Sequence, residues 1–139
     1  MTDGRGLIDT NVVIRLLDLD PASLPEEPVI SVITLAELSV GPLVTDNARE
    51  RSARQARLQQ TEATFEPIPF DANTARAFGR VAADIRAAGR KASARQFDAL
   101  IAATALAYEL PLYTANPDDF AGIEGLDVRE VVPATEGPA

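Results

Sequence analysis

The sequence predicts an α/β domain with a three-layer α/β/α architecture, in which helices cover both faces of a central parallel sheet. Short apolar runs alternate along the chain with helical patterns, which is typical of parallel sheets. The runs are bounded by turn residues, as expected for buried strands. A chain of 139 residues suits one domain. We expect this domain to span residues 1–133, with a disordered tail at residues 134–139, where apolar periodicity stops.

The N-terminal half contains five expected elements. They are strands at residues 6–8 and 28–32 and helices at residues 10–17, 34–42 and 46–64. Gly41 and Pro42 provide a helix-ending signal. The last helix carries several arginines among alanines and glutamines, and we expect it to act as a lid or as a contact with a protein partner.

The C-terminal half contains five more expected strands and helices. They are strands at residues 65–70, 111–115 and 127–132 and helices at residues 71–89 and 97–108. Asp71 is placed to cap the first of these helices. The second is apolar on nearly every face, which predicts a buried helix.

Composition excludes several kinds of chemistry. The chain has no cysteine and no histidine, which removes disulfides, cysteine nucleophiles, Ser–His–Asp triads and zinc sites built from those residues. Carboxylate oxygens remain, and they suit Mg²⁺ or Mn²⁺. No apolar run is long enough to span a membrane, and no signal peptide is apparent. We therefore expect a cytoplasmic protein with no membrane partner.

Charge is distributed unevenly along the chain. The net charge is −8, but residues 49–95 hold ten basic and five acidic residues, a local balance of +5. The rest of the chain holds three basic and sixteen acidic residues. The middle region could simply form solvated helix faces. It could equally place a basic surface beside an acidic pocket, as a phosphodiester substrate would require.

Two acids have both a structural and a functional interpretation. Asp9 follows the first strand in "RGLIDTNVVI", where it could cap a helix or bind a ligand at the carboxyl edge of a sheet. Glu37 follows Thr34 by three residues, the spacing of a capping box. Its neighbours are apolar, however, so its carboxylate could also serve a site.

Asp98 is less easily explained by local structure. Ser93 and Gln96 form a potential capping box that starts the helix just before Phe97, so Asp98 falls inside a helix predicted to be buried. A buried carboxylate is costly unless it is paired or bound to metal. A helix-dipole contact or an ion pair with Arg95 is the alternative.

A fourth polar group lies at the end of the strand at residues 111–115 and just beyond it. It consists of Thr114, Asn116, Asp118 and Asp119 within "TANPDDF", which is also ordinary turn chemistry. A parallel sheet would bring this group to the same edge as the other acids. Clustered carboxylates repel one another, so such a cluster needs a divalent cation or a protonated member.

Several motifs resemble those of a known family. "LIDTNVVI", "ITLAELSVG" and "FDALIAATALAYELPLYTANPDDF" are similar to the motifs of PIN-domain ribonucleases, specifically VapC-type toxins of type II toxin–antitoxin systems. The resemblance extends from Gly6 to about Val131. It implies a magnesium-dependent endoribonuclease, with Mn²⁺ as a possible substitute, that cleaves RNA, forms a homodimer and is silenced by a VapB-like antitoxin.

The resemblance also implies roles for individual residues. Asp9, Glu37, Asp98 and Asp119 would be catalytic. Asp9 and Asp98 would hold the metal, and Thr114 and Asn116 would lie at or near it. Many PIN domains have aspartate where this chain has Asn116, so Asp119 would supply the missing carboxylate. Residues just before the third acid could bind the RNA backbone, namely Arg90, Lys91 and Arg95.

Two other functions compete with this one. A phosphatase or receiver domain that forms an aspartyl phosphate also uses Mg²⁺ and acids at a sheet edge. It would need a second acid near the first and a lysine from a late strand, whereas this chain has Asn11 and a turn residue, Lys91. A binding module whose acids are all helix caps is the non-enzymatic alternative.

Overall fold

The computed structural model describes residues 4–91 and 95–135. Within these ranges the four strands are β1 (Arg5–Ile8), β2 (Glu27–Val29), β3 (Leu112–Thr114) and β4 (Val128–Glu130). The α-helices found in the same ranges are α1 (Thr10–Ile14), α2 (Val32–Val40), α3 (Ala48–Thr64), α4 (Ala72–Ala87) and α5 (Gln96–Ala107). Short 3-10 turns at Leu16–Asp18, Pro21–Ser23, Gly41–Leu43 and Pro117–Phe120 complete the connections.

The sheet is parallel throughout and has the strand order β2-β1-β3-β4. Leu7 and Ile8 are fully buried neighbours on β1, and successive side chains of a strand point to opposite faces. Leu7 packs in a core formed with α4 and α5. Ile8 packs in a second core with side chains of α1 and α2 and with Leu58 of α3. This confirms the predicted α/β class with helices around a parallel sheet.

Gly6 shows how closely β1 packs against its neighbour. A Cβ at Gly6 would lie 2.8 Å from Cβ of Pro25 and even closer to the ring of Tyr113 on β3. Contacts this short are not compatible with a side chain. The glycine therefore lets the Tyr113 ring cover the start of the strand.

The expected strand at residues 65–70 was wrong. Only Ile68 pairs there, through an isolated parallel bridge to Ser31. Its N–H donates to the carbonyl of Ile30, and its carbonyl accepts from Val32 N–H. Pro67 and Pro69 flank Ile68, and proline has no N–H to donate, so a longer ladder cannot form.

Other boundaries also differ from the expectation. The helix predicted to run to residue 17 ends at Ile14 and continues as a 3-10 turn. The strand predicted at residues 28–32 ends at Val29, since Ser31 caps the helix that follows. The cap predicted at Asp71 is confirmed, because its Oδ1 accepts from Thr74 N–H at 3.0 Å.

Two further predictions fall at the limits of the described residues. Ala134 N–H donates to the carbonyl of Asp18 at 2.9 Å, but residues 136–139 lie outside the described residues, so the predicted disordered tail stays a prediction. Ser93, the predicted cap of α5, also lies outside them. No helix in the described ranges is long and apolar enough to cross a membrane.

Candidate active site

Asp9 lies at the point where β1 passes into α1, and only 4% of it is exposed. Its Oδ1 accepts a hydrogen bond from Thr10 N–H at 2.8 Å. Its Oδ2 accepts from the hydroxyl of Thr114 at 2.9 Å. Thr114 is the buried last residue of the adjacent strand β3. Asp9 is therefore both the helix cap and a carboxylate fixed at the carboxyl edge of the sheet.

Glu37 is held by hydroxyl groups rather than by a capping box. Thr10 Oγ1 donates to Glu37 Oε1 at 2.7 Å, and it lies 3.0 Å from the hydroxyl oxygen of Thr34. Because Thr10 has a single hydroxyl proton, which it gives to Glu37, Thr34 must donate to Thr10. The buried Thr34 thus stands at the start of a chain that leads to Glu37.

The predicted capping box at Thr34 and Glu37 was wrong. The helix begins two residues earlier than expected, and Ser31 caps it by accepting from Ile33 N–H and Thr34 N–H. Thr34 is therefore inside the helix, one turn before Glu37. The spacing that resembled a capping box instead places both side chains on one helix face, towards Thr10.

Asp98 and Asp119 come from distant parts of the chain and meet at one arginine. Arg95 Nη1 lies 2.7 Å from Asp119 Oδ1 and 3.8 Å from Asp98 Oδ2. Asp98 is in the first turn of α5, and Asp119 is in the 3-10 turn that follows β3. The ion pair with Arg95 that the sequence left open is present, and it joins two carboxylates rather than one.

Electrostatics links the four acids. Burial raises the pKa of Asp9 to about 6, although its bonds from Thr114 and Thr10 lower it, and the charges of Glu37 and Asp119 raise it further. Burial also raises the pKa of Asp98 to about 6, with Asp9 and Asp119 adding to the rise and Arg95 opposing it.

Glu37 belongs to the same group of acids. Its pKa is raised by burial and by the charge of Asp98, against the hydrogen bond from Thr10. Each acid therefore lies within electrostatic range of at least one other, and the structure brings together the four acids predicted from the sequence.

The remaining predicted residues lie at the margin. Asn116 is exposed, and its backbone N–H donates to Thr114 Oγ1 at 3.1 Å. Its side chain makes no capping bond in the 3-10 turn. Arg90 Nη1 donates to the carbonyl of Asp118 at 3.0 Å, and Lys91 is exposed beside it.

The donor set fits a hard divalent cation. Among residues 4–91 and 95–135, no three acids are arranged closely enough to form a three-ligand metal cluster. Mg²⁺ commonly uses only one or two carboxylates and completes its shell with water. Carboxylates whose pKa is raised by burial and mutual repulsion are the groups that a dication would stabilise most. Burial and repulsion by other carboxylates both raise the pKa of Asp9 and of Asp98.

Sequence reasoning missed one residue of this arrangement and indicated the contacts of another only in part. Thr34 was taken for a cap, although its spacing from Glu37 was the signal that the two share a helix face. For Arg95 the sequence offered two contacts, one with the RNA backbone and one with Asp98. The guanidinium lies 3.8 Å from Asp98 Oδ2, and its closer contact with Asp119 is the part that the sequence did not indicate.

Comparison with known proteins agrees with this description. A family model of the PIN domain matches residues 6–126. Ribonuclease VapC5 of Mycobacterium tuberculosis is 35% identical over 134 residues, which cover 94% of this chain and 96% of that protein. Ribonuclease VapC8 of the same species is 40% identical over 109 residues, which cover 76% of this chain and 96% of the relative.

Solved structures give the same result. The crystal structure of VapBC-5 from M. tuberculosis, a member of the VapBC family of toxin–antitoxin systems, matches with a TM-score of 0.78 and 35% identity. The match covers 94% of this chain and 99% of that chain. FitAcB from Neisseria gonorrhoeae matches with a TM-score of 0.69 and 28% identity, over 88% of this chain and 95% of that chain.

The chain therefore belongs to the PIN-domain family. Within that family it groups with the VapC-type ribonucleases, because its relatives at 35% and 40% identity are of that type.

Proposed function

We propose that this protein is the ribonuclease toxin of a toxin–antitoxin pair, and that it hydrolyses RNA phosphodiesters with the help of Mg²⁺ or Mn²⁺. The observation that carries the proposal is the buried carboxylate of Asp9, fixed by Thr10 and Thr114 within electrostatic range of Glu37 and Asp119. A carboxylate this buried is costly unless a cation compensates it.

The four acids divide into two roles. Asp9 and Asp98 would hold the cation directly, Asp119 and Asn116 would complete its shell directly or through water, and Thr114 would lie near it. When bound, the cation would lower the pKa of a water molecule and neutralise negative charge on a phosphoryl group.

Glu37 would take the proton of the attacking water, because the hydroxyl of Thr10 fixes one of its oxygens and the other accepts no hydrogen bond from the described residues. The water oxygen then bonds to phosphorus, one P–O ester bond breaks, and the leaving oxygen is protonated by solvent.

The RNA backbone would be held by the loop that follows α4, beside the site. Arg90 and Lys91 lie there, and Arg90 already contacts the turn that carries Asp119. Arg95 is occupied by Asp119, so phosphate contacts fall to the other two. The double variant Arg90→Gln/Lys91→Gln should raise KM for RNA and reduce its salt dependence. An unchanged KM would remove this surface from the account.

Cleavage of a synthetic RNA, measured with Mg²⁺ and with EDTA, tests the activity. We expect Asp98→Asn and Asp119→Asn to reduce cleavage at least about a hundredfold. Asp118→Asn is the matched control, because Asp118 is the exposed neighbour of Asp119 and should retain activity. Equal cleavage by Asp98→Asn and the wild type, or cleavage undiminished in EDTA, would contradict the proposal.

An exposed apolar surface supports the proposal that this chain binds a protein partner. Leu17 is 98% exposed and Ile14 is 44% exposed. They border a groove of about 730 Å³ between the end of α1 and the C-terminal half of α3, which also includes Phe65. Exposed apolar surface of this kind marks interaction sites. We place the VapB-like antitoxin in this groove.

Copurification tests this placement. The tagged toxin is co-expressed with a VapB-like antitoxin encoded beside its gene, once such a gene is identified, and Leu17→Glu should lose the complex. Leu43→Glu serves as the control, because Leu43 is 84% exposed but lies outside the groove. Retention of the antitoxin by Leu17→Glu would place it elsewhere. Homodimer formation stays a prediction, and the mass of the isolated toxin by light scattering tests it.

The competing functions make different predictions. An aspartyl-phosphate mechanism predicts a stable beryllofluoride adduct on Asp9, which we do not expect, because Asn11 stands where that mechanism needs an acid and Lys91 is exposed in the loop after α4. A binding module whose acids are caps predicts no effect of Mg²⁺ on thermal stability. A filled metal site raises the stability instead.

A further inference from the structure

Arg95 is a basic residue that lies among the acids of the candidate site. It stands at the N-terminal boundary of α5, and its guanidinium lies between two acids of the site. Nη1 donates to Asp119 Oδ1 at 2.7 Å and lies 3.8 Å from Asp98 Oδ2. These acids are 21 residues apart in the chain, so one side chain ties the start of α5 to the turn after β3.

The charges around Arg95 explain why it turns inward. Asp98 is within electrostatic range of Asp9 and Asp119, so these carboxylates repel one another when no dication is present. A guanidinium carries a permanent charge and can satisfy two carboxylates at once. Arg95 therefore supplies part of the positive charge that the acids require.

Arg95 is also able to leave. Its side chain is 37% exposed, and the side chain of Asp119 is 35% exposed. Ion pairs with this degree of exposure are weak, and their partners exchange readily with solvent ions. An arginine held in place by full burial could not be displaced in this way.

We propose that Arg95 is an internal counter-ion of the acidic site, which a divalent cation has to displace from Asp119 in order to bind. This inference rests on the metal-dependent function proposed above and adds a residue that sets its metal affinity. Two costs oppose the cation: it must free Asp119, and it is repelled by the positive charge of Arg95. The arginine thus stabilises the metal-free protein and weakens divalent binding.

Calorimetric titration of the purified protein with Mn²⁺ tests the proposal, at fixed ionic strength and without RNA. We expect Arg95→Gln to bind Mn²⁺ about fivefold more tightly than the wild type, the factor that corresponds to loss of one partly exposed ion pair. Arg95→Lys keeps the charge and should lie between the two. Arg90→Gln removes a nearby charge that, among the described residues, contacts a backbone carbonyl and no carboxylate, and its affinity should change less than about twofold.

A second measurement links the effect to Asp119. In an Asp119→Asn background, Arg95→Gln should tighten binding less than it does in the wild type, because only the repulsion between Arg95 and the cation is left to remove. In EDTA, Arg95→Gln should unfold at a lower temperature than the wild type, because Asp98 and Asp119 lose their counter-ion.

The outcomes separate this proposal from the function on which it rests. Unchanged or weaker Mn²⁺ binding by Arg95→Gln, or equal tightening by Arg90→Gln, overturns the counter-ion role while leaving the metal site in place. Absence of Mn²⁺ binding by both the wild type and Arg95→Gln overturns both. Binding that appears or tightens only when Arg95 is replaced supports the proposal.

Discussion

Replacement of Asp9 by asparagine should inactivate the protein and, at the same time, stabilise its metal-free form. The side chain keeps its shape but loses the charge that is buried at the edge of the sheet. Burial raises the pKa of Asp9 from 3.8 to about 6, which corresponds to about 3 kcal/mol of unfavourable free energy for the ionised form at neutral pH. Asparagine removes this cost.

The substitution also disturbs the hydrogen bonds. The amide oxygen can still accept from Thr10 N–H, but the amide nitrogen cannot accept from Thr114, whose hydroxyl must rotate. A hydrogen bond of this kind contributes about 1 kcal/mol. The variant should therefore be more stable than the wild type by about 2 kcal/mol, or about 6 °C in Tm for a chain of this size.

Thermal unfolding in EDTA at pH 7.5 and at pH 4.5 measures the effect. At pH 4.5 the advantage should shrink, because folded wild-type Asp9 then carries a proton. Asp18→Asn, which removes an exposed charge outside the acidic site, should leave Tm within about 2 °C. An Asp9→Asn variant that is less stable than the wild type at pH 7.5 would refute the claim that this carboxylate is held at an energetic cost.

Other consequences follow from the same geometry. The folded protein binds protons more tightly than the unfolded chain between about pH 4 and pH 6, because the pKa values of Asp9 and Asp98 are raised. In EDTA, the free energy of unfolding should therefore fall as pH rises through this window. A free energy of unfolding that rises with pH would contradict the raised pKa values. RNA cleavage should show the opposite trend and increase through pH 6, since ionised acids bind the cation. Thr34→Val should lower kcat while Thr34→Ser restores it, because the hydroxyl of Thr34 fixes the donor to Glu37; equal rates for the two variants would exclude this chain. Gly6→Ala should lower stability by about 1–3 kcal/mol, measured by urea unfolding, since its Cβ meets a neighbouring ring.

The order of elements could be predicted from the sequence because it depends on local pattern. Buried strands and α5 are apolar runs of different length, and Asp71 is a cap that structure and sequence describe alike. The predicted strand around Ile68 does not form, and the sequence contains the reason, since Pro67 and Pro69 remove the N–H groups that a strand needs. The apolar pattern favoured a strand there, but the missing hydrogen-bond donors prevent it.

The candidate site could be predicted only in part, because its contacts join distant residues. Asp9 and Thr114 are 105 residues apart, and only the parallel topology brings them together. From the sequence, helix cap and site residue were alternative roles for Asp9. The structure shows that one carboxylate can have both roles. For Glu37, a shift of the helix start by two residues changed its neighbour from a cap to Thr10. Spacing alone cannot determine such a shift, since Ser31 and Thr34 are both acceptable caps.

The resulting picture connects stability with activity. The domain holds Asp9 and Asp98 in places where an ionised carboxylate is unfavourable. Arg95 offsets part of this cost while no dication is bound. Sites arranged in this way trade stability for function.

The central claim is that Asp9 and Asp98 share one divalent cation. Anomalous diffraction from crystals soaked in Mn²⁺ tests it most directly. We expect a manganese peak about 2.1 Å from a carboxylate oxygen of each residue, and loss of that peak in Asp98→Asn. A peak that contacts neither residue, or no peak at saturating Mn²⁺, would contradict it.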